Sequence, residues 1–220
     1  MSKVVNKVTK EMDGLMNQFD KERAGFFDNL AERWDQTGPV PSEEAIGKFL
    51  AKIRIGAGER VVDVGTGTGL LIPYIMECGP GEIVAVDLSE KMLERLAAKY
   101  QSSYGEKLKI SCQDVHCLTF EDETKDVAIC NSVFPHFHDK PKALSEVYRV
   151  LKTGGRMAVH HFAGREKINS FHSASADPLI RGDFLEDGAA LAVMVKEAGF
   201  TVVEMIDTEQ EYFLLAIKNP

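Results

Sequence analysis

A chain of 220 residues, 44% of them hydrophobic, can bury one full core and leaves little for a second. Acidic residues outnumber basic ones by 34 to 26, and a net charge of −8 speaks against nucleic-acid binding and for a small-molecule partner. No apolar run approaches the roughly 20 residues of a membrane span. Residues 1–27 lack the apolar stretch of a secretory signal, so a cytoplasmic location is expected.

The first 55 residues read as helical. Phe19, Phe26, Phe27, Leu30 and Trp34 recur near helical spacing. Thr37-Gly38-Pro39-Val40-Pro41 breaks that pattern, and Ser42 is placed to cap a helix carrying Ile46, Phe49, Leu50 and Ile53. From residue 60 strand and helix alternate. A strand at 60–64 leads to a helix at 69–78 that tolerates Pro73 near its start. A strand at 83–86 leads to a helix capped by Ser89 that buries Met92, Leu93, Leu96 and Tyr100. Strands follow at 107–111 and 126–130, then a helix opened by Pro141 with Leu144, Val147, Tyr148 and Leu151 on one face. Gly154-Gly155 turns into a fifth strand, 156–161, and a short helix is expected at 165–172. A last helix ends at Gly199. Strands 201–206 and 212–217 are joined so tightly that they must be antiparallel.

Strands separated by helices imply an α/β fold, a doubly wound and mostly parallel sheet. Residues 1–45 read as an N-terminal helical cap and 46–220 as the core. A loop-rich insertion at about 163–187 has the length often tied to function. The cysteines are Cys78, Cys112, Cys117 and Cys130, with Cys112 and Cys130 expected on neighbouring buried strands. Cys112-x4-Cys117 with His116 between them matches no common zinc module, and no second cysteine pair follows. No metal site is assigned.

The densest signal is Asp63-Val64-Gly65-Thr66-Gly67-Thr68-Gly69, between a strand and a helix. Glycines there let the backbone turn sharply and a ligand come close. A dinucleotide fingerprint needs its third small residue three positions after the second glycine. That position is Leu70 here. Asp87 ends the second strand, where a carboxylate can accept both hydroxyls of a ribose.

Asp63-x-Gly65-x-Gly67-x-Gly69 with Asp87 resembles the class I S-adenosylmethionine-dependent methyltransferases. The likeness continues through Gln113-Asp114-Val115, the strand ending at Asn131, the Val150-Leu151-Lys152-Thr153-Gly154-Gly155-Arg156 turn and the terminal strand pair. Phe27-Asp28-Asn29-Leu30-Ala31-Glu32-Arg33-Trp34-Asp35 resembles a stretch of the ubiquinone/menaquinone branch that helps cover the cofactor. The resemblance implies a seven-stranded Rossmann-like sheet with a reversed last strand and S-adenosylmethionine as cofactor. It gives the methionine end of the cofactor to Asp63, Gly65, Thr66, Gly67 and Gly69, and the ribose to Asp87. Leu88 and Met92 pack on the adenine, Asp114 and Val115 hold its edge, and Asn131 and Ser132 border the methyl group. Trp34 and Phe134 are candidates for contact with the substrate.

Methyl transfer from a sulfonium is an in-line displacement, so alignment and water exclusion supply much of the acceleration. A weak nucleophile also needs a base, and histidine suits neutral pH. In open α/β sheets ligands gather beyond the carboxyl ends of the strands. His136 follows the fourth strand, His161 ends the fifth and His172 lies in the insertion, so the role of base or substrate ligand falls first to His136, then to His161 and His172. A metal held by converging histidines is the alternative use of the same residues. Arg165 and Asn169 are candidates for holding a polar substrate. The prolines of the stretch used by base-methylating enzymes are absent from Asn131-Ser132-Val133-Phe134. A small-molecule methyltransferase, monomer or homodimer, is therefore expected. An NAD-dependent oxidoreductase and a non-catalytic cofactor-binding regulator are the alternatives.

Overall fold

The computed structural model describes residues 18–219, so the first part of the expected cap, residues 1–17, lies outside the described residues. The chain divides into two compact units, Met1–Thr119 and Phe120–Pro220.

In the first unit, helix α1 (Gln18–Leu30) runs into a 3-10 turn at Ala31–Gln36. The Ser42 hydroxyl accepts from the amide of Ala45 (3.2 Å) and starts α2 (Glu43–Ile53), whose Ile46, Phe49, Leu50 and Ile53 are all buried. Three parallel strands follow: β1 (Arg60–Val64), β2 (Glu82–Asp87) and β3 (Leu108–Cys112). Val61 pairs with Ile83 and Ile83 with Leu108. The near-continuous burial of β1 and β2 is that of strands covered on both faces. Each fully buried Val or Ile contributes roughly 1.5–3 kcal/mol. Helices α3 (Ile72–Glu77) and α4 (Glu90–Tyr104) make the connections. Ser89 caps α4 by accepting from the amide of Met92 (3.1 Å), and Met92, Leu93 and Leu96 are buried.

In the second unit, β4 (Lys125–Asn131) pairs in parallel with β5 (Leu151–His161), placing Asn131 opposite His160. Between them runs α5 (Lys140–Val150), capped by Asp139, with Pro141 in its first turn. After β5 come α6 (Arg165–Ser173), α7 (Pro178–Arg181) and α8 (Gly188–Glu197). Strands β6 (Phe200–Asp207) and β7 (Tyr212–Lys218) are antiparallel to one another, and β7 is antiparallel to β5. The strand order across the sheet is β3-β2-β1-β4-β5-β7-β6. Among the described residues no helix is long and apolar enough to cross a membrane.

Several details differ from the sequence reading, among them Tyr100 on α4, which is half-buried. Helix α3 starts at Ile72, because Gly69 bonds back to the carbonyl of Thr66 (3.0 Å) and Ile72 to that of Gly69 (3.2 Å), prolonging the turn. β5 starts five residues early, its irregular opening passing through Gly154-Gly155 while the register against β4 shifts between Lys125 and Val127. Cys112 and Cys130 are not on neighbouring strands. β3 lies at the edge of the sheet beside β2, whereas β4 is central, because the chain reverses its winding after β3.

Candidate functional site

The turn after β1 is held open by conformation. Gly65 (φ 67°), Gly67 (φ 55°) and Gly69 (φ 87°) all lie in the left-handed region that residues with a Cβ rarely adopt. At Gly69 space forbids a side chain as well, since a Cβ would stand 2.9 Å from Leu96 Cγ and 3.1 Å from Tyr100 Cε2 of α4. That contact explains why the third glycine arrives early: it lets α4 press against the turn.

Two carboxylates hold the same turn. Asp63 is buried, and its Oδ2 accepts from the Thr66 hydroxyl at 2.7 Å. Asp87 Oδ2 accepts from the Gly67 amide (2.8 Å), and its Oδ1 from the Ser89 amide (2.9 Å). Burial raises the Asp63 carboxyl to about 7; the Thr66 hydroxyl opposes this and the charge of Asp87 adds to it. Burial likewise raises Asp87 to about 6 against the pull of the Ser89, Gly67 and Leu88 amides, with Asp28 adding its charge. Two carboxyl groups poised near neutrality would both ionise more readily beside a cation.

The segment before the core is fastened to this turn. Asp28 Oδ1 accepts from the Ser89 hydroxyl (2.5 Å) and the Lys91 amide (3.2 Å), an acid at the start of α4 where the helix dipole favours it. Asp35 accepts from the Thr68 hydroxyl (2.5 Å) and from Lys99 (2.6 Å), and Lys99 also donates to the Thr68 carbonyl (3.2 Å). Burial pushes the Asp35 carboxyl up, but the bonds from Lys99 and Thr68 and the charges of Lys99 and Arg95 outweigh it and hold it low. Trp34 Nε1 lies 3.5 Å from where a Cβ on Gly67 would stand. Trp34 thus reaches the glycine turn.

At the end of β3, Asp114 Oδ1 accepts from the backbone amide (2.8 Å) and Nδ1 (2.5 Å) of His116, so the loop turn is built on this carboxylate. Gln113 secures the loop further, donating to Ser111 and accepting from Thr119. Val115 and Met92 are buried, while Leu88 keeps partial exposure.

In the second unit, Ser132 follows β4 with φ 57°, an uncommon conformation for serine, and its amide bonds to the His160 carbonyl (2.8 Å). His160 Nδ1 and Asn131 Oδ1 are 2.9 Å apart, and His160 Nε2 lies 3.5 Å from Glu211. His136 Nδ1 donates to Asp183 Oδ2 at 2.6 Å. His172 Nδ1 donates to the Asp183 carbonyl (3.2 Å), and its ring is 5.0 Å from that of His136. His161 is 2% exposed and its Nε2 has no hydrogen-bond partner. Burial holds His161 well below the usual histidine range, and His160, His136 and His172 add to the effect. His136, His161 and His172 are therefore brought together.

The other candidates are placed differently. Phe134 is fully buried, edge-on to Phe137. Arg165 donates to Asp207 (3.2 Å), and Asn169 exchanges two hydrogen bonds with the backbone of Leu185.

Sequence reasoning missed Asp183, Asp28 and Asp35. The first sits 47 residues from the histidine it holds, with nothing local to reveal it. The other two stood inside the quoted 27–35 stretch, but their partners at 89 and 68 did not.

A family model described as a methyltransferase domain matches residues 62–159. A demethylmenaquinone methyltransferase of Symbiobacterium thermophilum is 34% identical over 140 residues, 59% of this chain and 55% of that protein. A ubiquinone/menaquinone biosynthesis C-methyltransferase of a Ruegeria species is 29% identical over 206 residues, 80% of this chain and 81% of that protein. A solved structure of phosphoethanolamine N-methyltransferase 2 from Haemonchus contortus, in complex with phosphomonomethylethanolamine and S-adenosylhomocysteine, superposes with a TM-score of 0.72. It is 18% identical and covers 93% of this chain and 61% of that one, a likeness of fold. The chain spans little more than half the length of the first of these relatives.

Proposed function

We propose that this chain, which carries a methyltransferase domain over residues 62–159 and resembles the class I S-adenosylmethionine-dependent methyltransferases, transfers a methyl group from S-adenosylmethionine to a small-molecule acceptor in the cytoplasm. The observation that carries this reading is the β1 turn. Left-handed glycines and two carboxyl groups raised toward neutrality offer a close, cation-seeking cradle for a ligand with a sulfonium and an ammonium group.

In this reading Asp63, Gly65, Thr66, Gly67 and Gly69 hold the methionine end and Asp87 the ribose. Leu88, Met92, Asp114 and Val115 form the adenine wall, and Asn131 and Ser132 border the methyl carbon. Residues 1–45 act as a cap on the core 46–220, with Trp34 and the Asp28 and Asp35 contacts as its anchors. His136 serves as base, joined by His161 and His172. Arg165 and Asn169, engaged by Asp207 and Leu185, shape the insertion at 163–187. A nicotinamide-dependent reaction finds no support at Leu70, where its fingerprint needs a small residue.

Incubation with methyl-labelled S-adenosylmethionine and small-molecule metabolite extracts tests the reading. Labelled product is expected with the native chain and a large loss with Asp63→Ala. Absence of labelled product across broad extracts would overturn it.

A further inference from the structure

We infer that Asp28, in the segment before the core, is a positioning residue for the cofactor and acts on it through Asp87. Fastened to Ser89 and Lys91 at the start of α4, it aims the Asp87 carboxylate and sets a second negative charge beside it. The inference rests on the reading above, in which Asp87 takes the ribose, and adds a residue to that site.

Ser89 is the link, and it is fully buried. Its hydroxyl donates to Asp28 Oδ1 at 2.5 Å and accepts from the Met92 amide at 3.1 Å. Its own amide donates to Asp87 Oδ1 at 2.9 Å. The Lys91 amide, 3.2 Å from Asp28 Oδ1, makes the second hold on Asp28. Asp28 thus fixes the serine whose amide fixes Asp87. The Gly67 amide holds the other Asp87 oxygen at 2.8 Å, so the carboxylate is aimed before a ribose arrives.

Charge is the other half of the role. The dipole of α4 favours an anion at its start, and here two carboxylates, Asp28 and Asp87, meet at one residue. Like charges in a part-buried place are poorly screened, and each makes the other harder to ionise. Burial is the largest cause of the raised Asp87 carboxyl; the Ser89, Gly67 and Leu88 amides oppose it, and the charge of Asp28 adds to it. A protonated Asp87 cannot accept both ribose hydroxyls as a carboxylate does. Asp28 therefore helps to set the pH below which the cofactor loses that hold.

Asp35 supplies an internal comparison. It ties the same segment to the same core, accepting from the Thr68 hydroxyl and from Lys99, but through neither Ser89 nor Asp87. Loss of either acid loosens the segment. Only loss of Asp28 changes the surroundings of Asp87, and pH tells the two apart.

The test uses the full chain carrying Asp63→Asn, which leaves Asp87 as the titrating acid of the turn, with thermal melts to confirm folding. Calorimetry with S-adenosylhomocysteine from pH 4.5 to 7.5 is expected to show affinity that rises with pH and levels off near pH 6. Adding Asp28→Asn keeps an oxygen for Ser89 and removes the charge. The levelling point should then fall by about half a pH unit, with plateau affinity changed less than about twofold. Asp28→Ala should move the point equally and lower the plateau about fivefold, the scale of a lost cap hydrogen bond. Asp35→Asn should leave the point where it was. Carbon-13 spectra of the Asp87 carboxyl in the chain without cofactor should show the same fall with Asp28→Asn. An unmoved point in both Asp28 variants, an equal shift in Asp35→Asn, or a carboxyl titration that ignores Asp28 would each overturn the inference. Failure of the unsubstituted chain to bind S-adenosylhomocysteine would fault the methyl-transfer reading instead, and the carbon-13 titration would still decide whether Asp28 acts on Asp87.

Discussion

The glycine turn and the histidine cluster are both polar and largely buried, yet they treat their polar atoms in opposite ways. Around the turn, donors meet the carboxylates: Thr66 on Asp63, Gly67 and Ser89 on Asp87, Ser89 and Lys91 on Asp28, Thr68 and Lys99 on Asp35. In the cluster, His161 Nε2 is buried and unpaired. The first region is set before any ligand arrives and requires no rearrangement to receive one. The second keeps an unsatisfied group that a ligand can satisfy, so its stability and its function pull apart. Their titrations are opposed as well. Burial raises Asp63 and Asp87 and lowers His161.

The largest expected effect on ligand binding breaks the turn's charge. Asp63→Asn should weaken S-adenosylhomocysteine binding roughly 10- to 100-fold by calorimetry, the scale of a lost charge-assisted hydrogen bond. Next comes its shape. Gly69→Ala meets both the left-handed backbone and Leu96 at 2.9 Å. Together strain and overpacking should remove about 3 kcal/mol, lowering the melting temperature by roughly 8 °C.

A smaller change sharpens the contrast from the other side. His161→Leu removes the unpaired nitrogen and should stabilise the chain by about 1 kcal/mol while impairing transfer. The two regions should also separate by pH. Asp63 keeps its proton to a higher pH folded than unfolded. Its contribution to stability is therefore present below pH 4 and lost as pH rises toward about 7, and Asp63→Asn should flatten that slope. His161 resists protonation when folded, so its contribution is present above pH 6.5 and lost as pH falls, and His161→Leu should flatten that one. Denaturant unfolding of each variant across pH 4–8 checks both signs. The smallest effect belongs to Lys99→Ala, about 0.5 kcal/mol, since the Lys99–Asp35 pair is part-exposed.

Legibility divides along the same line. Repeating apolar strands, the caps at Ser42 and Ser89, Pro141 at the start of a helix, and the glycine spacing are local signals, and the elements they mark are present in the structure. The β1 turn could be read because its glycines, Asp63 and Asp87 lie within two adjacent strands and their loops. The cluster could be read only as a set of histidines near strand ends. Its organising residue, Asp183, comes from the insertion, and chain connectivity says nothing of which loop residue reaches His136. Strand order posed the same difficulty. Cys112 and Cys130 follow one another along the sequence of strands, but the sheet reverses its winding between them. Asn169 could be read as polar and in the insertion, but not as the partner of the Leu185 backbone, 16 residues away.

The account turns on the β1 loop holding a sulfonium cofactor with carboxylates that ionise as it binds. Calorimetric titration of the native chain with S-adenosylmethionine between pH 5.5 and 8, in buffers of different ionisation enthalpy, measures this directly. The account predicts affinity that tightens with rising pH up to about 7, with protons released on binding, and in Asp63→Asn a shallower profile that levels off near pH 6, where Asp87 ionises. Binding that ignores pH in the native chain, or tighter binding of NAD than of S-adenosylmethionine, would contradict it.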